Sequence, residues 1–132
     1  MQTINKAAAK ILDRLTADLK PGKSRKFGDD GDAYMPVHVE CLTNGHYSVA
    51  HYFKQNGDLV SDPDMEFYRA ETGAWLPVNC TMATGYYTLA LSFENGKPKG
   101  FYPRALRELC SFAAMWMRNI KGQQDFTFTE AV

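Results

Sequence analysis

The order of apolar and polar residues divides the chain into a helix, a run of strands and a second helix. Apolar residues near the N-terminus recur every three or four positions, which predicts a helix over residues 3–19. Thr3 is its predicted N-cap, and Pro21 and Gly22 are expected to end it. The apolar stripe of this helix comprises Ile4, Ala8, Ile11, Leu15 and Leu19.

From Val37 the period changes to two, which is typical of strands with one buried face. The dipeptides Asn44-Gly45 and Asn56-Gly57 predict two-residue type I′ turns that join successive strands into hairpins. About five strands are predicted, in the segments VHVECL, YSVAHYFK, MEFYRA, WLPVNCTM and YYTLALSF. The segment ENGKPKG is predicted to be an exposed turn.

A second helix is predicted from about Pro103 to Lys121, with Gly122 as its C-terminal cap. Its broad apolar stripe comprises Leu106, Leu109, Cys110, Ala113, Trp116, Met117 and Ile120. Together these elements predict one α+β domain over residues 1–132, with a C-terminal helix packed on one face of an antiparallel β-meander. Residues 20–35 are predicted to form an exposed loop, and residues 123–132 a tail in which Phe126 and Phe128 alternate like a short strand or a docking segment.

The predicted hairpins place several polar side chains together. If both turns contain two residues, His38 and Asp62 each face His51 across neighbouring strands. Glu40 and Asp64 then point to the same side of the sheet. The result is a polar strip made of His38, Glu40, His51, Asp62 and Asp64.

Three interpretations of this strip stay open. His38, Glu40 and His51 are residue types that bind transition metals, and a histidine beside Asp62 could act as an acid–base pair in a hydrolase. Alternatively, Pro63 interrupts the strand, and the aspartates are present because Asp favours turns. This second interpretation, a polar sheet face with acidic turns and no functional site, is the favoured one. The third is a partner-binding surface, with candidate residues His51, Asp58, Asp62 and Asp64.

Composition narrows the function classes. The chain has 15 basic and 15 acidic residues, and this balance argues against a dedicated nucleic-acid-binding protein. No membrane span or secretory segment is expected, and the scattered cysteines at 41, 80 and 110 predict reduced, buried thiols in a cytoplasmic protein without a cofactor. The aromatic residues Phe101 and Tyr102, beside Pro98 and Gly100, could anchor a partner.

The segment HYFKQNGDLVSDPDMEFY resembles a motif in a family of small, uncharacterised bacterial proteins that carry a domain of unknown function. The resemblance implies an accessory protein encoded by plasmids, integrative elements or phages, which acts by binding a protein and in some cases blunts a defence system. The resemblance says nothing about chemistry, because this family has no known activity that could be transferred to the chain. The residues that match the motif are His51, Gln55, Asn56, Gly57, Asp58, Asp62, Pro63 and Met65.

Two functions therefore remain as hypotheses. The first is a non-enzymatic protein that binds a protein partner or a second copy of itself. The second is a metal-dependent or acid–base hydrolase that uses the polar strip. An exposed apolar patch would favour the first, and convergence of His38 and His51 on one face would be required by the second.

Overall fold

The computed structural model describes residues 1–130, which form two helices and nine strands. The helices are α1 (Lys6–Thr16) and α2 (Pro103–Gln123). The strands are β1 (Ser24–Phe27), β2 (Val37–Thr43), β3 (His46–Gln55), β4 (Asp58–Arg69), β5 (Trp75–Thr81), β6 (Tyr87–Leu89), β7 (Leu91–Glu94), β8 (Lys97–Phe101) and β9 (Phe128–Glu130).

Seven strands form one antiparallel sheet in the order β6-β5-β4-β3-β2-β1-β9, and β7 and β8 form a separate hairpin. The predicted α+β class is confirmed, but the number of strands exceeds the predicted five. Two of the extra strands have local causes: the segment YYTLALSF divides at the buried Ala90, and the turn at Asn95-Gly96 creates β8. The predicted tail contains β9, and its last two residues, 131–132, lie outside the described part of the chain.

Helix α1 is shorter than predicted at both ends. Its N-cap is Asn5 rather than Thr3, because the Asn5 side chain accepts a hydrogen bond of 2.8 Å from the Ala8 N–H. The helix ends at Thr16, and Asp18 has a positive φ of 61°, which turns the chain before Pro21 is reached. Leu19 is nevertheless buried, so the apolar stripe extends past the helix.

Both helices pack on the same face of the large sheet, here called the inner face. Their apolar stripes bury themselves against alternate residues of the central strands, which is the predicted arrangement for α2. The largest fully buried side chains of this core include Trp75, Phe27, Phe67, Leu12 and Met65. Burial of this apolar surface is the main force that holds the two layers together.

The predicted exposed loop over residues 20–35 contains strand β1, so this prediction is wrong for part of its length. Arg25 and Phe27 are buried on the inner face, while Ser24 and Lys26 point the other way. A basic residue in the buried position concealed the alternation in the sequence. Arg25 is accommodated because Nη1 donates to the Ala17 carbonyl at 2.7 Å and Nη2 to Glu130 at 3.1 Å.

The β7–β8 hairpin covers one end of the opposite face of the sheet, here called the outer face. Leu91 and Phe93 of β7 pack there against Leu76, Val78 and Tyr68. The rest of the outer face, over β1, β2 and β3, has no covering element among residues 1–130. Neither helix in this described region is long and apolar enough to cross a membrane.

Arg25 provides a test of this architecture, because it satisfies carbonyl groups at the C-terminal end of α1. Substitution Arg25→Met should lower the free energy of unfolding by about 2 kcal/mol, since it leaves a partly buried carbonyl without its charged donor. Glu130→Gln should cost less than about 1 kcal/mol, because the Glu130 carboxylate is half exposed. Urea unfolding of both variants measures this difference, and equal losses would contradict the capping role.

Candidate functional site

The pairing of β2 with β3 decides which histidine faces solvent. A β-bulge at Leu42 shifts the pairing by one residue, so that His38 faces Ala50 and Val37 faces His51. The prediction that His38 faces His51 is therefore wrong. The cause is the turn: within Asn44-Gly45 the positive φ falls on Gly45, at 82°, whereas a type I′ turn needs two such residues.

The second hairpin follows its predicted register from the turn to Ser61, which faces Tyr52. Asn56 and Gly57 both have a positive φ there, at 51° and 85°. A second bulge then places Ala50 opposite Asp64, and His51, Asp62 and Pro63 fall within the bulge. Pro63 does not end the strand, because a residue within a bulge need not donate a backbone N–H to the neighbouring strand. The predicted pairing of Asp62 with His51 is also wrong.

His51 lies in the protein core. Its Nδ1–H donates to the Pro36 carbonyl at 3.1 Å, and its ring lies 5.5 Å from the Trp116 ring of α2. Burial lowers the pKa of His51 below its usual 6.5, although the hydrogen bond to Pro36 and the charge of Asp62 oppose the shift. His51 is thus a neutral packing residue, and it is not accessible as a ligand.

The outer face carries polar side chains from five neighbouring strands. Directly facing residues form two cross-strand rows on this side of the sheet. One row comprises Lys26, His38, Ala50, Asp64 and Thr81, and the next comprises Ser24, Glu40, Ser48, Glu66 and Asn79. Three members of the predicted polar strip, His38, Glu40 and Asp64, therefore share this face without His51.

Several of these polar groups bond to one another. The Ser48 hydroxyl donates to Asp64 at 2.7 Å, and the Asn79 amide donates to Glu66 at 3.2 Å. His46 Nδ1 lies 3.2 Å from the other Glu66 oxygen. The central carboxylates are therefore held by local partners, which is the pattern of a structured polar surface.

The remaining predicted binding residues are dispersed. Asp62 accepts a hydrogen bond of 3.2 Å from the Ala83 N–H, which fixes the neighbouring turn. Asp58 is exposed at the start of β4. Phe101 and Tyr102 are exposed at the entry to α2 and stay candidates for a partner contact.

The geometry does not form the predicted catalytic or metal constellation. The predicted metal site with Glu40 and the predicted acid–base site with Asp62 both required His38 and His51 on one face of the sheet. The two histidines lie on opposite faces. Over residues 1–130, no three His, Cys, Asp or Glu side chains stand close enough together to hold a metal ion.

The cysteines do not supply a nucleophile in the described structure. Cys41, Cys80 and Cys110 are buried and free of disulfides. Burial raises the pKa of both Cys80 and Cys110 to about 11, so neither thiol ionises near neutral pH.

The open part of the outer face contains two adjoining cavities of about 450 and 300 Å³. They share Tyr52 and Leu59, and together they are called the outer groove. The larger cavity is lined by Asp30, Gly31, Asp32, Ala33, Tyr34, Met35, Pro36, Tyr52, Phe53, Lys54 and Leu59. The smaller is lined by Ser24, His38, Val39, Glu40, Ser48, Tyr52 and Leu59.

Three large apolar side chains in the outer groove are exposed to solvent: Tyr34 by 50%, Met35 by 43% and Leu59 by 64%. The pattern of the sequence did not predict this cluster. Tyr34 and Met35 follow a polar, glycine-rich segment that predicted only a loop. The sequence did indicate that Leu59 is exposed, because this apolar residue faces Lys54 on the polar side of an alternating strand.

The floor of the outer groove is neutral and its rim is acidic. Burial raises the pKa of Tyr52, with a further contribution from Asp64 and Glu40, so its hydroxyl stays protonated. Burial and the charge of Lys26 lower the pKa of His38, whose ring lies 4.9 Å from the Tyr52 ring. An uncharged His38–Tyr52 pair therefore separates the apolar cavity from the carboxylate of Glu40.

Thiol labelling tests the placement of the two histidines. In the native protein, His38→Cys should react with a thiol reagent at least about tenfold faster than His51→Cys, because only the former is on an open surface. The native cysteines are buried and provide the internal baseline. Equal labelling rates of the two folded variants would contradict the register. In urea, where both variants are unfolded, the two labelling rates should become equal.

The lowered pKa of His51 predicts a pH effect on stability. As pH falls below 6.5 the unfolded chain takes up the proton before the folded chain does, so stability present above 6.5 is lost on acidification. His51→Asn retains an amide donor but does not titrate, and should reduce this loss by up to about 1 kcal/mol per pH unit. Urea unfolding at pH 7.5 and 5.5 measures the loss of stability in each variant. The control variant His38→Asn should retain the loss that His51 causes. An unchanged pH dependence in His51→Asn would contradict the assignment.

Comparison with known protein families gives a match over most of the chain. The family described as "Domain of unknown function (DUF6908)" matches residues 6–127, which include both helices and every strand except β9. Neither a curated protein nor a solved structure matches the chain. Bacterial origin and carriage on mobile elements stay predictions. Because the match covers most of the chain, the protein belongs to the DUF6908 family, and the prediction of a family of unknown function is confirmed.

Proposed function

We propose that the protein is a non-enzymatic binding protein that contacts a protein partner through the outer groove. The observation that carries the proposal is the convergence of Tyr34, Met35 and Leu59 on one concave, uncovered part of the sheet. Single exposed apolar residues are ordinary on protein surfaces, but a cluster around a cavity is typical of an interaction site.

The residue types of the outer groove suit a protein ligand. Tyrosine and methionine are enriched in the centres of protein interfaces, and tyrosine buries much surface at low entropic cost. Tyr52 adds a protonated hydroxyl beside the apolar cavity and can donate a hydrogen bond to a carbonyl group of the partner. The two cavities adjoin across β2 and β3, which favours an extended segment over a compact small molecule.

Charge around the outer groove favours a basic segment. Asp30, Asp32 and Glu40 line the two cavities together with the basic side chain of Lys54. Asp30 is paired with Lys26 at 3.5 Å, so Asp32 and Glu40 carry the acidic character of the groove. An apolar anchor in the larger cavity, followed by a lysine or arginine near Glu40, would match these features.

The predicted cellular role fits a binding protein but rests on the resemblance alone. In that role the protein is an accessory factor of a mobile element, and its partner is a host or plasmid protein, in some cases a component of a defence system. The hydrolase hypothesis is not proposed, since its two histidines lie on opposite faces of the sheet.

Site-specific photo-crosslinking tests the proposal. A photoreactive residue at position 59 should capture one defined protein in the natural host, because Leu59 is at the junction of both cavities. Position 86 is the matched control, since Tyr86 is also highly exposed but lies outside the groove. Capture of a second copy of this chain, or capture only from position 101, would contradict the proposal.

The captured protein should then be purified and its affinity measured. The double variant Tyr34→Ala/Leu59→Ser should weaken binding by about 30-fold, as expected for the loss of interface anchors worth about 2 kcal/mol. The control Tyr86→Ala/Leu42→Ser removes the same side-chain types from exposed positions elsewhere and should change affinity by less than about twofold. Equal losses in the two variants would contradict the assignment of the groove.

A further inference from the structure

Charge is distributed unequally between the two layers of the molecule. The whole chain has 15 basic and 15 acidic residues, but α1 and α2 carry seven of the basic residues and only two of the acidic ones. The basic residues of the helices are Lys6, Lys10, Arg14, Arg104, Arg107, Arg118 and Lys121. The strands and loops therefore hold eight basic and thirteen acidic residues.

The basic side chains lie on the solvent side of the helices. All seven are exposed, whereas the apolar stripes of α1 and α2 point to the sheet. Lys6, Lys10 and Arg14 follow a four-residue spacing, which puts successive charges about 6 Å apart along one side of α1. Arg107 and Arg118 extend the positive surface over about 16 Å of α2, and the two helices contact each other.

The two acidic residues of the helices do not neutralise this surface. Asp13 is paired with Arg69 at 3.2 Å, and Glu108 is paired with Arg104 at 3.3 Å. Arg14 stacks over the Phe126 ring at 4.1 Å. The ion pairs found within residues 1–130 include none of the remaining basic residues of the helices, Lys6, Lys10, Arg107, Arg118 and Lys121. These five residues are called the helix cation patch.

We infer that the helix cation patch binds the phosphate backbone of nucleic acid without sequence preference. Clustered lysines and arginines along helices are the electrostatic footprint of backbone binding, and they act through release of counterions from the phosphates. Duplex DNA presents one negative charge per roughly 1.7 Å of its axis, so a cation patch of this length meets many phosphates. The zero net charge of the whole chain is compatible with nucleic-acid binding, because the helix cation patch and the excess of carboxylates belong to different layers of the molecule.

The surface is poorly suited to a protein partner or a membrane. Protein interfaces have apolar centres depleted of charge, and Met115 is the exposed large apolar residue of the two described helices. A membrane-surface helix inserts its apolar face into lipid, but here those faces are buried in the core. A charged surface with almost no exposed apolar side chains fits a phosphate backbone best.

A salt titration with a fluorescent 20-base-pair DNA duplex tests the inference. The wild-type protein should bind with a dissociation constant on the order of 10⁻⁵ M near physiological salt, with log K falling against log salt at a slope of about −4 to −5 for five phosphate contacts. Arg107→Gln/Arg118→Gln should weaken binding at least about tenfold and reduce the slope by about two. Both substitutions are on the protein surface, so circular dichroism and the urea midpoint should stay unchanged.

Lys97→Gln/Lys99→Gln is the matched control, because it removes the same charge from the exposed β7–β8 hairpin. It should change duplex affinity by less than about twofold. Equal losses in the two double variants, or no binding at 50 mM salt and 100 µM protein, would overturn the inference. Tighter binding to phosphatidylserine vesicles than to the duplex would also overturn it and assign the patch to membranes.

Discussion

A one-residue shift in the pairing of β2 with β3 determines which side chains this protein presents to solvent. Because side chains alternate between the faces of a sheet, the bulge at Leu42 changes the cross-strand neighbours of residues 37–41, while Thr43 still faces His46. It places Val37 and His51 together in the core, and His38 beside Ala50 on the outer face. The core under α2 and the floor of the outer groove both depend on this register.

The two surfaces of the molecule differ in chemistry. The outer face combines an exposed apolar cluster with an acidic rim, whereas the helix layer is basic and almost without apolar anchors. The two proposed contacts, with a protein segment and with a phosphate backbone, therefore lie on opposite sides of one sheet. Such an arrangement would allow both partners to be held at once.

Local patterns predicted the elements better than their pairing. Asn56-Gly57 adopts the expected conformation and its register was correct as far as Ser61, because both turn residues take a positive φ. The same dipeptide at 44–45 does not, and the resulting error of one residue created a false His38–His51 site. Strand β1 was missed because Arg25 is buried by contacts with Ala17 and Glu130, which are distant in sequence. Exposed Leu59 was the available signal of the groove, and net charge concealed the cation patch because it averages over both layers.

The central claim is that His51 belongs to the core and His38 to the open face. Cross-strand nuclear Overhauser effects in isotopically labelled protein test it most directly, because facing residues of antiparallel strands have backbone protons in close contact. We expect contacts between the His38 and Ala50 backbones and between those of Val37 and His51. Contacts between the His38 and His51 backbones instead would contradict it, and would return both histidines to one face of the sheet.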